Sequence, residues 1–360
     1  MKTENVLCPK CGKGNVIKKG RRKTKFGFRQ FYYCKDCESG FTDSKFPNKT
    51  YGPGVIVNAI NFYNLGNTLE ESAKHINRRF KVKVSKSSVH SWLNEFMDIC
   101  TYHIIRDEVL TTYSKDVLVS KTYEHNGLNY NFKYHRGKTD ILCKYPSLAE
   151  YVKGLERGCP EFFENDNRCS QLKITISFKK SDRYNLACML AGFALKSARN
   201  NKERHSVVET FMLINDSSTI ACEVPVWFWE KNLDVGICGH IDILQIRNGK
   251  IYILDFKPDA IRENENKVAS QLYLYASGLS FRTGIPLINF RCAWFDEYNY
   301  FEFSPVDAKV TYLLKAKNFI NNRQNNGQRI PEEKAAKSSE SCVQTRQRIP
   351  EENRALNGKV

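Results

Sequence analysis

Two apolar stretches, residues 241–246 and 251–256, stand on either side of Arg247-Asn248-Gly249-Lys250. Asn-Gly between such stretches predicts a tight β-hairpin. With the turn centred on Asn248-Gly249, Ile246 is expected opposite Ile251, Leu244 opposite Ile253, and Asp242 opposite Asp255. Lys257, two residues beyond Asp255, emerges on the same face. Further strands are expected near 219–226, 288–295 and 300–303. The 3.6-residue pattern predicts helices over 55–63, ending at Gly66, and from Thr68 to Arg79, opened by the capping box Thr68-Leu69-Glu70-Glu71. Ser85 is the expected N-cap of a helix running to about Met97. Residues 184–213 read as helical, 263–276 as a helix stopped by Gly278, and 308–320 as a last helix.

The hairpin carries the first candidate chemistry. Like charges opposed across a ladder destabilise it. A divalent cation shared by Asp242 and Asp255 is the natural compensation. His205 and Glu209, and likewise Gln271 and Tyr275, are four residues apart, so each pair shares a helix face.

A second chemistry lies near the start. Cys8-Pro9-Lys10-Cys11 and Cys34-Lys35-Asp36-Cys37 are two C-x-x-C knuckles, the spacing of a closed four-thiolate structural zinc site. Gly12 and Gly40 are expected to loosen the knuckle turns. Between the knuckles, Lys18, Lys19, Arg21, Arg22, Lys23 and Lys25 precede Phe26, Phe28, Phe31, Tyr32 and Tyr33. Cations facing phosphates, with aromatics packing the ribbon or stacking on bases, suit nucleic acid. The ribbon resembles the one that opens many insertion-sequence transposases.

Charge sharpens this picture. The chain carries +17, and residues 1–50 hold thirteen Lys or Arg against four Asp or Glu. A basic front end points to a polyanion partner. The two helices after Thr68 and Ser85 read as a helix-turn-helix, with Lys86, Ser87, Ser88 and His90 at the start of the second, where base edges are contacted. This module too resembles those of transposases and integrases.

Gly239-His240-Ile241-Asp242, Asp255-Phe256-Lys257 and Gln271-Leu272-Tyr273-Leu274-Tyr275 follow one another in order. Glu203-Arg204-His205-Ser206-Val207-Val208-Glu209 and Glu223-Val224-Pro225-Val226 precede them. Together they resemble the PD-(D/E)XK nuclease superfamily in its RecB-type branch, which includes the CRISPR-associated exonucleases. The resemblance implies an α/β restriction-endonuclease-like core with a mixed sheet and Mg²⁺- or Mn²⁺-dependent DNA hydrolysis. It implies that His205, Asp242 and Asp255 hold the metal with the carbonyl of Phe256, and that Lys257 orients or deprotonates a water. Gln271 and Tyr275 would position the strand, with Glu209 and Glu223 around the ligands. Asp255 stands where Glu is commoner in that family, which shortens its reach.

The expected organisation is a zinc ribbon (1–45), a helix-turn-helix (46–100), a connecting region (101–185), the nuclease core (186–320) and a disordered tail (321–360). The tail carries Gln-Arg-Ile-Pro-Glu-Glu at 328–333 and again at 347–352. With 41% apolar residues a core can form, and no run of eighteen apolar residues predicts a membrane span. The first residues carry no apolar signal region, so a cytoplasmic protein with free thiols is expected. The reading is a DNase of a mobile element or defence system, with DNA as partner and room for a homo-oligomer. The alternative is a DNA-binding regulator or transposition protein whose nuclease core is inactive.

Overall fold

The computed structural model describes residues 6–312 apart from 9, 25–26, 43–48, 126, 161–162, 164–166, 169–173 and 231–234. The first unit is a three-stranded antiparallel ribbon of β1 (Val16–Thr24), β2 (Gly27–Cys34) and β3 (Gly40–Thr42). Three helices follow: α1 (Pro53–Asn64), α2 (Leu69–Phe80) and α3 (Lys86–Glu95). The Thr68 capping box forms as expected, and Ser85 accepts from the Ser88 amide at 3.1 Å. Asn77 clamps the turn between α2 and α3, giving to and taking from the backbone of Val84.

The middle of the chain supplies α4 (His103–Tyr113), β4 (Leu118–His125), β5 (Leu128–His135), α5 (Arg136–Leu142), α6 (Pro146–Gly154), and the short strands β6 (Asn167–Arg168), β7 (Ile174–Ser177) and β8 (Ser181–Asp182). Then come α7 (Leu186–Leu195), α8 (Arg204–Asn215), β9 (Thr219–Glu230), β10 (Val235–Arg247), β11 (Lys250–Phe256), α9 (Glu265–Thr283), β12 (Phe290–Phe295), β13 (Tyr300–Phe303) and β14 (Lys309–Tyr312).

A nine-stranded mixed sheet in the order β4-β5-β9-β10-β11-β12-β13-β8, with β6 beside β10, is the backbone of the fold. Among the described residues, parallel pairing is confined to β11 with β12 and β6 with β10. α9 is the crossover that parallel β11 and β12 require. One apolar cluster joins α9 and α6 to the sheet, including Val226, Leu244, Ile253, Leu272 and Leu279. A second joins α1, α2 and α3 to α7, α8 and the sheet, including Ile56, Ile76, Trp92, Phe193, Phe211 and Leu254. The segments expected as a helix-turn-helix and as a nuclease core therefore share one interior. The connecting region gives β4 and β5 to the same sheet.

The hairpin register is the expected one where it is bonded: Ile246 pairs with Ile251 and Leu244 with Ile253. Three expectations are corrected. The stretch 184–213 is two helices, separated where polar Arg199 to Lys202 replace the apolar pattern. Gly278 does not end its helix. A Cβ there would meet Phe228 at 2.7 Å and Val226 at 2.8 Å, so it allows α9 to press on β9, and Gly284 (φ +70°) provides the left-handed C-cap. Lys309–Tyr312, expected as helix, is a strand paired with β7. Residues 313–320 and the repeated tail lie outside the described residues. Among the described residues no helix is long and apolar enough to cross a membrane.

Candidate metal centres and cleft

The sulfurs of Cys8, Cys11, Cys34 and Cys37 all lie within 4.8 Å of one another, with Cys8 to Cys37 at 3.5 Å and Cys11 to Cys34 at 3.6 Å. Four thiolates about 2.3 Å from one zinc stand about 3.8 Å apart, so the cluster fits that ion. Gly12 takes the left-handed conformation in the first knuckle (φ +71°). In the second it falls to Glu38 (φ +53°). Gly40 serves a different end from the one expected, since a Cβ would strike the Phe31 ring at 2.5 Å. Lys18, Lys19, Arg21, Arg22 and Lys23 are all exposed on β1, with Arg22 over Phe31 at 3.5 Å and Lys19 over Tyr33 at 4.2 Å. On α3, Lys86, Ser87 and His90 face solvent, Ser88 is half-buried, and Val89 and Trp92 are buried.

The second site forms where β10 and β11 part. Their ladder stops at Ile243 and Leu254, leaving Asp242 and Asp255 as the first residues beyond it. Ile241 packs in the α9-side cluster but Ile243 in the α8-side cluster. Across the ladder, Val224 and Cys222 divide in the same way. Regular pleating would keep each pair on one face. Between them stands Glu223, with the left-handed φ of +51°, a conformation costly for a side chain with a Cβ. The break at Glu223 and Asp242 opens the middle of the sheet to groups from both faces.

From one face α8 contributes His205 and Glu209. Ligand atoms of His205, Glu209 and Asp242 lie within 4.8 Å of one another, with His205 Nδ1 3.9 Å from Asp242 Oδ2. Asp255 stands next to Asp242, and its Oδ1 is 2.8 Å from Lys257 Nζ. The side chains close enough to share one ion are thus His205, Glu209 and Asp242. Asp255, expected as a ligand, pairs with Lys257 beside them. Glu209, expected around the ligands, lies within the close group. From the other face Gln271 Nε2 donates to the Tyr275 hydroxyl at 2.9 Å. Gly239 lets Tyr275 lie against β10; a Cβ would meet its ring at 2.3 Å.

The electrostatics are those of crowded acids. Burial, then the neighbouring Asp255 carboxylate, pushes Asp242 well above the usual carboxylate range. Burial, then Glu223, does the same to Glu209, whose Oε1 is buried with no hydrogen-bond partner. Glu223 is pushed up to about 7 by burial and Asp255. His205 is lowered, chiefly by burial. Burial alone would lower Lys257, but Asp255 and Asp242 outweigh it and hold it as an ammonium. Lys133 on β5 was not singled out from sequence. Its charge favours the ionised forms of Glu209 and Glu223, and its Nζ donates to Thr210 Oγ1 at 3.0 Å. Nothing local in Asn131-Phe132-Lys133-Tyr134 marks it, because only sheet pairing brings β5 beside β9.

Comparison with protein-family models, curated proteins and solved structures finds no match. The chemistry of the site therefore rests on its own residues.

Proposed function

We propose that this chain is a metal-dependent deoxyribonuclease of PD-(D/E)XK type, brought to DNA by a zinc ribbon and a helix-turn-helix. The observation that carries the reading is the convergence of His205, Glu209, Asp242, Asp255 and Lys257 at the break in the sheet. Three or four acids whose ionised forms repel one another fit a divalent cation, and the orphaned buried Oε1 of Glu209 lacks a partner that an ion would provide. His205, Glu209 and Asp242 would hold Mg²⁺ or Mn²⁺, with Asp255 beside them. Such an ion supplies a Lewis acid for a phosphoryl oxygen and lowers the pKa of a bound water.

Lys257, held as an ammonium by Asp255, suits orientation of the water and stabilisation of charge growing on the phosphoryl oxygens better than proton abstraction. Gln271 and Tyr275 would hold the strand, and the exposed cations of β1 and the start of α3 would hold the flanking DNA. This arrangement suits a mobile element or a defence system.

The deciding experiment offers linear, circular and single-stranded DNA to the purified protein with Mg²⁺, Mn²⁺ or EDTA. Cleavage is expected with either metal and not with EDTA, and Asp242→Asn and Lys257→Met are each expected to slow it by about 100-fold or more. Cleavage by Asp242→Asn at the wild-type rate would sink the assignment. DNA binding without cleavage in any metal would favour the regulator with an inactive core.

A further inference from the structure

Four carboxyls meet at the break in the sheet: Glu209 on α8, Glu223 on β9, Asp242 on β10 and Asp255 on β11. Two ammonium groups flank them. Lys257 holds Asp255 at 2.8 Å. Lys133 of β5 stands directly opposite Cys222, the residue before Glu223, and directly opposed residues share a face of a sheet. That face is the one α8 covers. The Cys222 thiol donates to the Glu209 carbonyl at 3.3 Å, and Lys133 Nζ donates to the hydroxyl of Thr210, the next residue along α8, at 3.0 Å. One hydrogen bond leaves an ammonium two further N–H groups. The charge of Lys133 acts on Glu209 and Glu223 alike. Arg204, which bears on His205, is itself paired with Glu297 at 3.4 Å.

We propose that Lys133 supplies the charge a second metal ion would otherwise bring, so that this centre takes one divalent ion and not a pair. The inference rests on reading His205, Glu209 and Asp242 as the ligands of that ion. By number alone, four acids could hold two ions about 3.5–4 Å apart. Charge decides against it. Four carboxylates against two ammoniums leave two negative charges, which one divalent ion cancels. A second ion would leave two positive charges uncompensated in a buried space, and burial strongly disfavours an unpaired charge. Position points the same way. On the Asp255 side the neighbouring cation is Lys257, and on the side of Glu209 and Glu223 it is Lys133. Being covalently part of β5, Lys133 is in place before any metal or DNA arrives.

The test counts ions and needs no cleavage. Mn²⁺ alone is titrated into full-length protein purified with zinc, without DNA. Bound ions per chain are read from the loss of the free Mn²⁺ signal in electron paramagnetic resonance, and two ions bound side by side show as a spin-coupled spectrum. Wild type is expected to bind one uncoupled Mn²⁺. Lys133→Met, which keeps the stem and loses the charge, is expected to bind two, spin-coupled. Lys133→Arg, which keeps the charge, is expected to return the count to one. A coupled pair in wild type, or a single ion in Lys133→Met, overturns the inference and leaves the metal centre standing. No bound Mn²⁺ in wild type removes the metal centre and the inference with it. Should Lys133→Met fail to fold, the wild-type spectrum decides: one uncoupled ion supports the inference, and a coupled pair overturns it.

Discussion

At the scale of single residues the site is a set of carboxyls kept from ionising first by burial and then by one another. Glu223 has its folded pKa pushed up to about 7, and Glu209 and Asp242 move in the same direction, each chiefly by burial. An acid whose folded pKa lies above its unfolded value contributes stability that is fully present below the unfolded pKa. That contribution is lost as pH rises through the folded one. The melting temperature of metal-free protein is therefore expected to fall between about pH 5 and pH 8. A divalent cation replaces the protons, so Mg²⁺ or Mn²⁺ is expected to raise the melting temperature more at the upper end of that window than at the lower. Thermal melts in EDTA and in each metal across the window measure both effects. A flat profile, or a metal effect no larger at the upper end, would remove the crowded-acid account.

At the scale of elements, what could be read from sequence depended on whether the cause was local. The hairpin could be read because Asn248 and Gly249 adopt φ of +49° and +69°, the turn that Asn-Gly favours, and a two-residue turn fixes every pairing behind it. Both capped helices of the α2 and α3 pair could be read because Thr68 and Ser85 act on their own next turn. The four cysteines could be read because their spacing is itself the site. The break at Glu223 and Asp242 could not, since neither of these residues is a Gly or a Pro. Lys309–Tyr312 could not, because its partner β7 lies more than a hundred residues away. Gly278 was misread for the same reason: its purpose is the contact of α9 with β9, not a helix end. Its sign can be tested. On an open helix Gly→Ala stabilises by about 1 kcal/mol. Here the added Cβ meets the Phe228 ring and the β-branched Val226, and overpacking of that kind costs about 1–3 kcal/mol. Gly278→Ala is thus expected to lower the urea midpoint, and a raised midpoint would show that α9 does not press on β9 as described.

At the scale of the molecule, the helices expected to read DNA are not tethered modules. Asn215, fully buried at the end of α8, donates to Asn61 Oδ1 at 2.7 Å and accepts from Asn64 Nδ2 at 2.8 Å, both on α1. Its carbonyl accepts from the Tyr102 amide at 2.9 Å. Lys138 of α5, also fully buried, donates to the carbonyls of Leu213 and Asp216 and fixes the same helix end. α8 is the helix that carries His205 and Glu209. Its other end therefore cannot shift without moving α1, and α1 packs with α2 and α3 in a single cluster. Asn215→Leu leaves the amides of Asn61 and Asn64 without these partners, one of them buried, at a cost of about 1–3 kcal/mol. Because the interior is shared, that loss is expected to appear in one cooperative transition, with the indole fluorescence of Trp92→Phe and Trp294→Phe variants shifting by the same amount on addition of Asn215→Leu. Two transitions, of which only the helical one moves, would mean that the three helices are a separable domain. In the single-transition case a strand gripped by α3 reaches the cleft at a set distance, and cutting by the proposed nuclease would fall at a fixed offset from the bound sequence.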